Sequence, residues 1–170
     1  MQKIIKDEQI VSDPWFFLRP DDDGQLPTVP DDADVIVPMA HWLASRDTWR
    51  GRSGKSGVWL APGDEPAELA PWLNQCPVVA VDFPVFTDGR GYSLARLLRE
   101  RYSYAGEIRA VGDVWQDQIY ALWLVGFDAF QIRPDKSLQA ALEVLCAAGE
   151  RYQSNYRQPE PLFHRDNFLR

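Results

Sequence analysis

Five short apolar runs recur along the chain from Asp34 onward, and each is followed by a segment with helical spacing. The runs are DVIVP, SGVWLAP, PVVAVDF, EIRAVGD and DAFQIRP. The helical segments are MAHWLASRDTW, EPAELAPWLNQ, about Gly91 to Tyr102, Val114 to Val125, and Ser137 to Ala148, the last stopped by Gly149. Apolar runs of this length read as buried strands, and strands recurring every ~20–30 residues with helices between them make βαβ units. Right-handed crossovers then put every strand's C-terminal end on one edge of a parallel sheet. The expected fold class is α/β: about five βα units forming a parallel sheet, open or half-barrel-like, since five units are too few to close an eightfold barrel. Such a sheet needs a covered or dimerised edge, which leaves room for a homodimer.

The flanks differ in character. KIIKDEQIV followed by WFFL reads as an N-terminal β-ribbon or arm, and residues 20–34, with six Asp, three Pro and one Gly, as a solvated loop. The spacing of those carboxylates fits no EF-hand loop. The C-terminal YRQPEPLFHRDNFLR is polar and aromatic with two prolines, an extended tail that wraps the surface or docks on a partner. A chain of 170 residues suits a single domain: 1–33 arm and acidic loop, 34–149 βα core, 150–170 tail.

A net charge of −7 argues against nucleic acid as the partner, because phosphate binding needs a basic face. No stretch approaches the ~18 apolar residues of a membrane span, and the charged N-terminus lacks an apolar export core, so a cytoplasmic location is expected. Cys76 and Cys146 lie far apart and outside any CxxC, as expected of small buried hydrophobes in a reducing compartment. His41 and His164 are too few and too distant for a histidine-based metal site or a serine triad. GRSGKSG, residues 51–57, lacks the first glycine of a phosphate loop (Trp49 stands there) and precedes a strand instead of following one, so it reads as a basic turn. No GxGxxG follows a strand. Neither a cofactor nor a metal is expected.

One loop carries more chemistry than the rest. Asp82 closes the third apolar run, and Asp88, Gly89, Arg90, Gly91 and Tyr92 follow. The fourth run ends in Gly112-Asp113, with Asp117 one turn beyond. Ligands of open parallel sheets lie off the strand C-termini, so these residues can share one rim. Backbone N–H groups at a helix start and an arginine fork suit an anion or a carboxylate. The same residues also have structural readings. Asp88 can be the N-cap of its helix, Asp113 with Gln116 can open a capping box, and Arg90 can pair with Asp82 or Asp113. On the helices, Leu94, Leu97, Leu98 and Tyr102, and then Ile119, Leu122 and Trp123, read as buried stripes.

The wording VAVDFPVFTDGRGYSLARLLRERYSYAGEIRAVGDVWQDQIYALWLVGFDAFQI, with GVWLAPGDEP before it and PLF near the end, closely resembles a bacterial family of unknown function. Members of that family are often described as oxidoreductases involved in sulfite reduction. The likeness spans roughly residues 34–165, with Ile108 where the family usually has leucine. Many members place a cysteine before GFDAF; here Val125 stands there, so a redox thiol at that position is not required. The resemblance implies a role beside sulfite reductase in assimilatory sulfur metabolism. The leading expectation is an accessory protein that binds sulfite reductase or its electron donor and does no chemistry itself. The alternative is a small anion- or carboxylate-binding enzyme, with Arg90 gripping the anion and Asp82 or Asp113 as general base.

Overall fold

The structure, a computed structural model, describes residues 2–147, 155–157 and 159. The expected end of the last helix at Ala148 and most of the tail lie outside these residues. The strands are β1 (Lys3–Lys6), β2 (Gln9–Ser12), β3 (Phe16–Phe17), β4 (Val35–Pro38), β5 (Ser56–Leu60), β6 (Val78–Phe83), β7 (Glu107–Gly112) and β8 (Ala129–Phe130). The helices are α1 (Met39–Ala44), α2 (Arg46–Arg50), α3 (Pro66–Leu69), α4 (Arg90–Glu100), α5 (Ile119–Leu124) and α6 (Leu138–Cys146).

The five expected runs become β4 to β8, all parallel, and the fold is the expected α/β half-barrel. Its edges are covered by the chain's own N-terminus. The sheet order is β2-β1-β8-β7-β6-β5-β4-β3: the β1–β2 ribbon joins β8 antiparallel, while β3 joins β4 parallel at the opposite edge.

That arrangement forces the sheet to curl. Asp13 N–H donates to the Gln2 carbonyl at one edge, and Phe16 N–H donates to the Asp34 carbonyl at the other. Three residue steps span at most about 11 Å. A flat eight-stranded sheet would hold its edges about 34 Å apart. Residues 13–15 therefore cross from edge to edge only because the sheet rolls up.

The two faces are built differently. On the outer face Val37, Leu60, Val81, Ile108 and Phe130 pack with helix residues Trp42, Leu69, Leu98, Leu122 and Ala141. The inner face pairs a small apolar cluster (Ile36, Trp59, Val78, Ala80, Val111) with Trp15 and Phe17 of the crossing segment. It also carries a buried ionic chain. Arg109, only 2% exposed, holds both carboxylate oxygens of Asp13 at 2.8 and 2.9 Å and Glu107 at 2.7 Å. Lys6 reaches Glu107 from the ribbon at 2.7 Å, and that bond raises the lysine's pKa. An arginine in the middle of a strand buried on both faces must be paired, since an uncompensated buried charge is costly.

Several helical expectations change; the run from Met39, for one, breaks at Ser45 into α1 and α2. Leu97 is exposed on α4, and Arg99 takes the inward position two residues on. Its guanidinium satisfies the carbonyls of Gly126, Tyr104 and Gly106 and pairs with Asp128, so a long polar side chain ties α4 to the two loops before β7 and β8. The segment expected to be helical from Val114 begins its helix only at Ile119. Cys76 is buried as expected, whereas Cys146 is exposed on α6.

Asp13→Ala strands Arg109 with one carboxylate instead of two and unties the crossing segment. Denaturant unfolding should show a loss of about 3–5 kcal/mol. An unchanged midpoint would mean that the pair does not hold the crossing in place.

Candidate site on the strand C-terminal rim

The curl gathers the loops after β6, β7 and β8 onto one rim, and the sequence-named residues sit there in separate ion pairs. Asp82, buried at the end of β6, accepts from Arg19 at 2.6 and 3.4 Å. The Arg19 guanidinium lies over the stacked rings of Phe17 and Trp59, 5.0 and 5.3 Å from their centroids. Arg90 instead pairs with Asp88, through Nε at 2.9 Å and Nη2 at 2.7 Å. Asp113 pairs with Arg133 at 2.8 Å. Arg90 thus meets neither Asp82 nor Asp113, the partners expected for it.

The odd placement of a cation at a helix start is resolved locally. Arg90 is the first residue of α4, where a positive charge opposes the helix dipole. Asp88 sits two residues ahead, accepts the Arg90 backbone N–H at 3.1 Å, and neutralises its side chain. Arg90's hydrogen bond and charge hold the Asp88 carboxyl below the usual carboxylate range. Gly89 is the N-cap residue, so the cap function expected of Asp88 is exercised from one position further out.

The two glycines do different things, and neither has positive φ. Gly89 has open space around it. A Cβ on Gly91 would lie 2.4 Å from the ring of Phe83, so Gly91 lets α4 rest directly on β6. Backbone freedom matters at Gly112 instead, where φ is +95° and a Cβ would strike the Phe83 carbonyl at 2.4 Å. That turn lets Asp113 N–H donate to the Phe83 carbonyl at 2.6 Å.

Asp113 is the organiser of the rim, and it opens no capping box. Its two oxygens accept from Phe86 N–H at 2.8 Å, from Trp115 Nε1 at 2.9 Å and from Arg133 at 2.8 Å. The Arg133 bond first, then those from Trp115 and Phe86, hold its carboxyl below the ordinary range. An acid so stabilised in its charged form is poorly suited to act as a base near neutrality. Gln118, not Gln116, supplies the second clamp: its Oε1 accepts from Trp115 N–H, and its Nε2 donates to the Phe86 carbonyl.

The clamps hold an apolar tip in place. Val85 and Phe86 are 52% and 40% exposed, and Phe86 meets Trp115 edge-on at 5.3 Å. Arg133 and Lys136 lie over the Trp115 ring at 5.2 and 4.1 Å. Tyr92 packs edge-on against Phe83, and burial, then the nearby Asp117 carboxylate, raise its phenol's pKa, with Gln118 opposing. Asp117 itself is exposed.

Sequence reasoning missed Arg19, Phe86, Trp115, Gln118 and Arg133. A buried aspartate at a strand end implies a cationic partner, but nothing local points 63 residues back to Arg19. At the other end of the sheet, Cys76 gives no reactive thiolate, because burial pushes its pKa up to about 12.

Residues 57–163 match the model of a bacterial protein family of unknown function, DUF934, and the chain belongs to that family. Among curated proteins none matches the chain.

Gly91→Ala should destabilise by about 1–3 kcal/mol, because the added methyl must displace Phe83 or α4. Gly89→Ala should change stability by less than about 0.5 kcal/mol. Parallel melts of the two variants check this, and equal effects would remove the packing argument.

Proposed function

We propose that the chain is an accessory protein of assimilatory sulfite reduction, acting in the cytoplasm by binding sulfite reductase or the protein that supplies its electrons. The sulfur-metabolism part rests on the family resemblance of the DFPVFTDGRGYS and RAVGD segments. The binding part rests on one observation: Val85 and Phe86 are exposed, yet their loop is fixed by Asp113 and Gln118 beside the cation-flanked ring of Trp115. Exposed apolar side chains held rigidly among arginine and tryptophan are what protein interfaces use as anchors, since little entropy is lost on docking.

The rim chemistry supports a contact surface over a catalytic centre. Asp82, Asp88 and Asp113 are each engaged by an arginine, and Arg90 uses two of its nitrogens on Asp88. Of the described residues, no helix is long and apolar enough to cross a membrane, and no group of three His, Cys, Asp or Glu is placed to hold a metal ion.

Phe86→Glu should weaken co-purification with sulfite reductase by roughly thirtyfold in Kd, the loss of one anchor worth about 2 kcal/mol. The melting temperature should stay near that of the parent, since Phe86 is exposed. A strain carrying the variant in place of the parent should grow poorly on sulfate and normally on cysteine. Normal growth on sulfate in a deletion strain, with no co-purification of the parent protein, would end this reading.

A further inference from the structure

The loops after β6, β7 and β8 match their charges internally, but the loops beside them do not. After β3 come Asp21, Asp22 and Asp23, all exposed, and after β5 come the half-buried Asp64 and the exposed Glu65. Both loops lie on the same edge of the sheet as the Val85–Phe86 tip. Asp21 stands two residues beyond Arg19, whose guanidinium is bonded to Asp82 at the end of β6. The Gly24 carbonyl meets His41 Nε2 at 3.0 Å, which sets this loop over the start of α1, directly after β4. Asp64 closes a tight turn off β5, the neighbour of β6: its Oδ2 accepts from Ala61 N–H at 2.7 Å, and its N–H donates to the Ala61 carbonyl at 3.0 Å.

None of these five carboxylates has an ion pair among the described residues, while Arg19, Arg90 and Arg133 are taken by Asp82, Asp88 and Asp113. The basic stretch with Arg50, Arg52 and Lys55 precedes β5 and so lies at the opposite end of the sheet. The exposed apolar tip thus stands beside an uncompensated acidic fringe. Surfaces of like sign repel on approach, whereas complementary potentials speed docking and exclude wrong partners. A second copy of the chain would bring two acidic fringes together, and nucleic acids and anionic membranes carry the wrong sign.

We infer that the partner of the rim is a basic protein surface, on which lysine or arginine side chains surround an apolar socket for Phe86. This rests on the reading of the rim as a contact surface and adds the chemistry of what it contacts. Phe86 and Val85 supply the apolar anchor, and Asp22, Asp23 and Glu65 meet the cations around it.

The test titrates the full chain, labelled with 15N, with a hexapeptide of lysines and two leucines. Amide signals of residues 21–23, 64–65 and 85–86 should shift saturably. Those of residues 7–8, an exposed acidic turn at the opposite end, should not. Serines in place of the leucines should weaken binding by about fivefold or more, and glutamates in place of the lysines should abolish it. Asp22→Asn with Asp23→Asn should weaken it by about threefold or more, and Asp7→Asn with Glu8→Gln should leave it unchanged. No shift at the rim, equal shifts at both ends, or equal binding by the serine peptide overturns the inference. Sulfite reductase separates this inference from the reading it rests on. Association that slows about tenfold from about 20 to about 200 mM NaCl supports both. Capture through Phe86 that ignores salt overturns the basic partner and keeps the contact surface. No capture, with the lysine peptide seated on the rim, ends the sulfite reductase reading and supports the basic partner.

Discussion

The structure depends on a crossing of three residues. Asp13, Pro14 and Trp15 take the chain from the last strand of one sheet edge to the first strand of the other, and nothing that short can do so unless the sheet is rolled. What holds the crossing is the buried pair between Asp13 and Arg109, extended through Glu107 to Lys6. Burying these charges is costly in itself, but each is answered by another, and the pairing fixes where the N-terminal segment lies across the inner face. Trp15, Phe17 and Arg19 then fall into place over Trp59 and Asp82.

Curling the sheet determines what its strand ends can become. In a flat sheet the loops after β6 and β8 would point in parallel; here the first is tied to the loop after β7, and that loop to the last, through Asp113. The carboxylate gathers a backbone N–H, an indole N–H and a guanidinium from three different loops. The result is a rim whose charges are matched internally and whose most exposed features are apolar. The strand C-terminal end of the sheet therefore presents a rigid aromatic tip.

Parts of the sequence's charge runs are tied together by side-chain to backbone bonds. The acidic loop and the basic turn GRSGKSG, distant in sequence, bond to each other: Asp31 accepts from Ser53 N–H, Asp34 from Lys55 N–H, and Arg52 donates to the carbonyls of Pro30 and Ala33. Gly54 is obligatory there, since a Cβ would lie 2.2 Å from the Ala33 carbonyl oxygen. The rhythm of β4 to β8 was legible because each strand is a short apolar run between helical segments. The N-terminal strands' positions were not legible, since the two-residue β3 is a strand only by virtue of the neighbour it finds. Asp113 with Gln116 three residues on imitates a helix start, but the Gly112 turn and three tertiary donors claim the carboxylate instead. Gly91, named in the sequence among the residues of an anion-binding helix start, proved to be a packing requirement against Phe83. Arg109, like Asp82, was a charge that its strand context could have flagged: a charged residue within an apolar strand needs a partner of opposite sign.

The clamped rim loops are proposed as a contact surface. Hydrogen–deuterium exchange of the chain with and without sulfite reductase tests this directly. Slowed exchange is expected in residues 84–92 and 113–118 when the enzyme is added, with residues 51–56 at the opposite end unaffected. Slowing confined to the opposite end, or no change anywhere at concentrations that saturate a micromolar complex, would contradict it.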